Sequence, residues 1–73
     1  MRMAAMTVSP DILNGMPVFR GTRVPVKTLF DYLETGESIE EFFDDFPTVT
    51  RNQALEVLHA AERLVLESHE VYA

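Results

Sequence analysis

Gly15-Met16-Pro17-Val18-Phe19-Arg20-Gly21-Thr22-Arg23-Val24-Pro25-Val26 is the stretch that decides how this chain folds. It reads as a short strand from Pro17 to Arg20, a turn at Gly21-Thr22, and an apolar lead into a helix. Glycine suits positions that need a positive φ or a close backbone approach, and Gly15 and Gly21 bracket the apolar pair Val18 and Phe19. Pro17 fits the first residue of a strand or an edge, because it cannot donate to a ladder. Pro25 fixes φ just before a helical pattern begins. Arg20 and Arg23 flank the turn at a spacing that can put both on one surface.

Upstream, Thr7-Val8 is β-prone and Ser9-Pro10-Asp11 ends it as a turn, with a second turn signal at Asn14-Gly15. Thr7-Val8 and Val18-Phe19 are expected to pair as a small sheet. Residues 1–5 are read as a frayed N-terminal tail, and residues 6–73 as one domain.

Downstream, three helices follow. Val26, Leu29, Phe30 and Leu33 fall at i, i+3, i+4 and i+7, one face of a helix. Gly36 stands where the residue just past a helix end belongs. Ser38 followed by Glu41 is a capping box, and behind it Ile39, Phe42, Phe43 and Phe46 repeat the same spacing. The residue before a proline avoids the α region, so Pro47 ends that helix. Thr50 and Gln53 form a second capping box. The helix it opens has Ala54, Val57, Leu58, Ala61, Leu64 and Val65 as its expected buried stripe, and runs to about Ser68 or beyond. Phe42, Phe43 and Phe46 are expected in the core.

The fold class is therefore mainly α, with a short N-terminal β element and three helices. The last two, joined by Pro47-Thr48-Val49, look like a helix-turn-helix.

At 73 residues the chain makes one domain at most. A chain this short buries only about 60% of its unfolded surface. It has no cysteine to staple it, so self-association is a natural way to gain burial, and a homodimer is expected. Leu55, Leu66 and Val71, which fall outside the helical stripe, are the candidate dimer or partner face. The absence of cysteine suits a reducing compartment, and the start of the chain does not read as a signal peptide. No apolar run reaches the roughly 18 residues of a membrane helix. A cytoplasmic protein is expected.

The net charge of −6 is unevenly spread. Residues 1–30 carry four basic side chains against Asp11, net +3; residues 31–73 carry two against eleven acids, net −9. Such a chain is a poor non-specific binder of nucleic acid. Specific binding is a separate matter. In a helix-turn-helix the start of the second helix enters the major groove. Here that start offers Arg51, Asn52 and Gln53 to base edges, with Arg20, Arg23 and Lys27 for phosphate. The plainer reading is a three-helix bundle with polar caps; Glu56 and Glu62 on the same helix would repel phosphate.

Nothing in the pattern argues for an enzyme or a cofactor. His59 and His69 are ten residues apart on one helix, about 15 Å, too far to share a metal. Glu40, Glu41, Asp44 and Asp45 read as a solvated helix face rather than a metal site.

Asp11 to Val26 resembles the signature of the bacterial family catalogued as domain of unknown function 433. That signature has a glycine, a proline, apolar positions around a basic residue, then glycine-threonine-arginine, an apolar residue, proline and valine. Gly36-Glu37-Ser38-Ile39-Glu40-Glu41 and Asp45-Phe46-Pro47-Thr48-Val49-Thr50 agree with it, so the likeness spans about residues 6–65. The resemblance implies a winged-helix-like or homeodomain-like helical fold. It also implies a role as antitoxin in a type II toxin–antitoxin pair, neutralising a nuclease with a PIN-like fold and repressing its own operon by binding DNA. PIN-like nucleases have an acidic, metal-binding active site, which makes Arg20 and Arg23 the candidate toxin-binding residues. The chain departs from a typical antitoxin in having almost nothing beyond its last helix. The reading in a different class is a protein-interaction module without DNA activity.

Overall fold

The computed structural model describes residues 4–9, 11 and 13–68. Their order is β1 (Met6–Thr7), a 3-10 turn (Leu13–Gly15), β2 (Val18–Phe19), α1 (Val26–Glu34), α2 (Ile39–Asp45) and α3 (Arg51–Leu66). β1 and β2 pair antiparallel, Met6 opposite Phe19 and Thr7 opposite Val18. The sheet thus forms as expected, but β1 sits one residue earlier than Thr7-Val8. The reason is the face it must serve. Val18 and Phe19 are both buried, and this register continues into Ala5, which is only 3% exposed. The body therefore begins at Ala5, inside the segment read as a frayed tail; residues 1–3 lie outside the described residues.

The opening stretch closes on itself. Phe19 N–H donates to the Val24 carbonyl at 3.0 Å and Val26 N–H to the Pro17 carbonyl at 3.0 Å, while Val18 and Pro25 form an antiparallel bridge. Between them Thr22 N–H donates to the Phe19 carbonyl at 3.0 Å. Gly21 is the third residue of that turn and has φ +80°, a value type II turns demand there. The Thr22 hydroxyl donates to the same Phe19 carbonyl at 2.8 Å and accepts from Val24 N–H at 3.0 Å. A rigid loop thus leads the chain from β2 into α1.

Pro25 is the residue just before α1, with φ −63°. At the other end Gly36, with φ +87°, completes a Schellman turn: Glu37 N–H reaches the Tyr32 carbonyl at 2.9 Å and Gly36 N–H the Leu33 carbonyl at 3.4 Å. Both capping boxes form, Ser38 with Glu41 and Thr50 with Gln53. α2 stops at Asp45, one residue before Phe46-Pro47.

The core is Ala5, Phe19, Val26, Leu29, Phe42, Val49, Ala54 and Val57, with the fully buried Val18 of β2. Phe42 is its hub. Its ring lies 6.0 Å from Phe19, 5.3 Å from Phe46 and 5.5 Å from Tyr32, the last edge-on. Such pairs add about 0.5–1.5 kcal/mol each beyond their burial. Of the three phenylalanines expected in the core only Phe42 is fully buried; Phe43 and Phe46 are half-buried and pack against that core.

The α3 stripe differs from expectation in its second half. Ala54 and Val57 are buried and Leu58 and Ala61 half-buried, but Leu64 is 59% and Val65 68% exposed. Every residue from Glu62 to Ser68 is exposed. α3 is simply longer than the body it packs on: sixteen residues against the seven of α2. The helix ends at Leu66, slightly short of Ser68.

Candidate functional site

Six side chains carry the expected nucleic-acid or toxin contacts, and the structure uses them unequally. Arg20 turns back over the N-terminal segment. Its Nε donates to the Ala4 carbonyl at 2.8 Å, a terminal guanidinium nitrogen to the Met6 carbonyl at 2.9 Å, and its backbone N–H to the Ala5 carbonyl at 2.8 Å. Its own carbonyl accepts from Gln53 Nε2 at 2.9 Å. Arg20 thus fastens three segments while staying at the surface.

Gln53 is committed on both ends of its carboxamide. Oε1 accepts from Thr50 N–H at 3.0 Å, closing the cap, and Nε2 reaches Arg20 O and, at 3.4 Å, Ala5 O. A group with all its partners inside the chain is poorly placed to read a base.

Arg51 pairs with Glu40 of α2 at 2.6 Å and lies 5.0 Å from the centre of the Phe43 ring, a cation–π contact. Lys27 pairs with Asp31, one helical turn on, at 2.7 Å; that hydrogen bond raises the Lys27 pKa above its ordinary value. Arg23 and Asn52 are exposed, and among the described residues no side-chain bond or ion pair engages either. The structure brings Arg20 and Gln53 together and joins Arg51 to α2.

Around α2 the surface is acidic. Glu37 and Glu41 share a hydrogen bond, which raises the Glu37 pKa and lowers that of Glu41. Tyr32 donates to Asp45 Oδ2 at 2.6 Å, and that bond pushes its phenol up to about 12. Among the described residues no three histidine or acidic side chains converge to hold a metal ion. His59 is exposed, and His69 lies outside the described residues, as does Val71. Leu55 and Leu66 are exposed. No described helix is long and apolar enough to cross a membrane.

Sequence reasoning missed Tyr32, Glu40 and Phe43 as partners of other side chains. Tyr32 had a usable signal, an aromatic residue beside the apolar stripe of α1. The Glu40–Arg51 contact spans eleven residues and a turn, and no local spacing announces it.

A relative, "Uncharacterized protein y4eO" of Sinorhizobium fredii, is 46% identical over 44 residues, 60% of this chain and 20% of that protein. The chain therefore spans about a fifth of that relative's length. A crystal structure of a DUF433 member from Anabaena variabilis superimposes with a TM-score of 0.72 at 27% identity, covering 82% of this chain and 59% of the other. The family described as "Protein of unknown function (DUF433)" matches residues 6–60, from β1 into α3. On that match, supported by a solved member of similar fold, the chain belongs to the DUF433 family.

Proposed function

We propose that this protein is a partner-binding domain, the antitoxin of a toxin–antitoxin pair that neutralises a PIN-like nuclease, with operator DNA as a lesser target. The observation that carries the reading is how the side chains expected to contact DNA are spent. Arg20 and Gln53 hold the fold together, and Lys27 and Arg51 are each paired with a carboxylate. A DNA reader needs such groups aimed outward, since phosphate neutralisation supplies most of non-specific affinity. The surface left facing out, with Glu34, Glu37, Glu40, Glu41, Asp44 and Asp45 around the α1–α2 turn, is acidic. A nuclease presents a basic surface to its substrate, and an acidic protein complements it.

Arg23 is the side chain best placed for the nuclease's acidic metal site, being exposed beside a rigid turn and able to meet carboxylates in bidentate fashion. Operator binding would rest on Asn52 and Arg23, with Arg51 available once its pair with Glu40 opens.

The test is co-expression of the full chain with a PIN-like nuclease encoded beside it, followed by a nuclease assay and a promoter gel-shift with the purified proteins. Inhibition reversed by raised salt, and weakened by Arg23→Ala in a chain that still folds, is the expected result. Full nuclease activity in a mixture with excess protein sinks the antitoxin reading. Promoter retardation by this protein alone, abolished by Asn52→Ala, would make DNA its principal target.

A further inference from the structure

We infer that Asn14-Gly15 is a self-modification site: the Asn14 carboxamide cyclises onto the Gly15 backbone nitrogen and opens with water to isoaspartate, which unseats the lead into β2. The inference does not depend on the nuclease reading. It starts from the local backbone. Asn14 has φ +56° and Gly15 φ +86°, and Asn14 is the one non-glycine residue of positive φ among the described residues. Asparagine tolerates that region better than most side chains, and glycine enters it freely. Asn14 is exposed, and among the described residues no hydrogen bond holds its carboxamide. A Cβ at Gly15 would meet nothing within 4 Å, so the space about the Gly15 Cα is open. Asparagine is among the thermolabile side chains, and these three conditions leave this one unprotected.

The reaction balances on these two residues and one water. The Gly15 nitrogen gives its proton to hydroxide and attacks Cγ of Asn14. The new C–N bond closes a succinimide ring, and the side-chain nitrogen leaves as ammonia. Water then opens the ring. Attack at Cγ gives ordinary aspartate; attack at the α-carbonyl leaves the chain running through Cγ, as isoaspartate. Glycine favours the first step because it puts no side chain beside the attacking nitrogen. The ψ of Asn14, 34°, must turn to bring that nitrogen onto Cγ. What opposes the rotation is a three-residue 3-10 turn, Leu13–Gly15, and such turns hold weakly, so it opens locally without global unfolding.

Asn52 is the internal contrast. It is also exposed, but it lies in the first turn of α3 and is followed by Gln53. Gln53 N–H is tied to the Thr50 hydroxyl at 3.1 Å, and a side chain stands beside that nitrogen. Exposure is shared by the two asparagines and reactivity is not. The consequence falls on β2. An isoaspartate adds a methylene to the main chain and one negative charge, three residues before Pro17, whose carbonyl receives Val26 N–H at 3.0 Å. The paired left-handed residues that aim the chain at β2 cannot keep their geometry with the longer link.

The experiment ages the full chain in warm, mildly alkaline buffer and follows it by intact mass, peptide mapping and methylation with an isoaspartyl methyltransferase. The expected result is the mass gain of an amide-to-acid exchange confined to the Asn14-Gly15 peptide, with isoaspartate as the chief product and a rate that rises in proportion to hydroxide. Asn52 should stay unchanged over the same period. Asn14→Gly, which suits the same φ, should remove the gain without straining the turn. Aged protein should unfold at lower urea than fresh protein, while aged Asn14→Gly should not shift. The urea-unfolded chain, aged alongside, gives the rate of the unprotected sequence. An unchanged folded chain when the unfolded one has converted, conversion of Asn52 alongside Asn14, or an aged protein with the urea midpoint of the fresh one would each overturn the proposal.

Discussion

Gln53 Nε2 donates to the carbonyl of Arg20 at 2.9 Å, so the side chain that caps α3 also holds the turn after β2, thirty-three residues earlier. The two ends of one carboxamide do different work. The oxygen accepts from Thr50 N–H, which any good cap acceptor could do; the nitrogen donates to backbone, which a carboxylate cannot. Gln53→Glu separates them. It keeps the capping box but removes the donor to Arg20 O and Ala5 O. A loss of about 1–3 kcal/mol is expected, since two carbonyls lose their donor and face a carboxylate oxygen instead. Urea unfolding at neutral pH measures it, and a midpoint equal to the wild type would show that the bridge to the turn contributes nothing.

Phe19 is fully buried against Phe42, their ring centres 6.0 Å apart. Phe19→Ala should cost about 3–5 kcal/mol, the range for deleting a buried aromatic ring. Total stabilities of about 5–15 kcal/mol are typical, and a domain this small sits at the lower end, so most of the margin goes. Thermal unfolding followed by circular dichroism decides it: a midpoint within a degree of wild type would place Phe19 outside the core.

Gly21 tests backbone alone. An added Cβ meets nothing within 4 Å, so sterics against neighbours play no part. What remains is φ +80°, which costs an L-residue about 1–2 kcal/mol. Gly21→Ala should lose that much, and Gly21→Asn less, since asparagine tolerates the left-handed region better. Equal stability of the glycine and alanine proteins in chemical denaturation would rule out the assigned turn.

Tyr32 gives a pH prediction. Its bond to Asp45 favours the neutral phenol, lifting the folded pKa from about 10 to about 12. A folded pKa raised above the unfolded one gives a contribution that is complete below pH ~10 and is lost as pH climbs toward ~12. Ultraviolet titration should show a late tyrosinate wave that vanishes in Tyr32→Phe. If Tyr32→Phe removes a wave near pH 10 instead, the Asp45 bond is not held in solution.

The helices were legible because their signals are local. Ser38 with Glu41, Thr50 with Gln53, Gly36 and Pro47 each act within one turn, and each marks a boundary to within a residue or two. The fate of Leu64 and Val65 was not legible. Periodicity tells which face of α3 is apolar, but where the body beneath it ends depends on the length of other elements. The β1 register slipped by one because Ala5, with no β propensity to display, is what the core needs there. The candidate site was the least legible part. Arg20, Lys27, Arg51 and Gln53 advertise chemistry by type, while their partners Ala4, Met6, Asp31, Glu40 and Ala5 are a backbone or a common carboxylate, which no motif singles out.

The bond from Gln53 to Ala5 also sets an order of events during synthesis. Forty-eight residues separate the two. At about 5–20 residues per second, the Ala5 carbonyl waits about 2–10 s on the ribosome before Gln53 is made. Arg20 follows Ala4 by only sixteen residues, so its guanidinium is made much sooner than the Gln53 carboxamide. The segment around Ala5 thus has one partner sixteen residues on and another forty-eight residues on, and only the second depends on the helix cap.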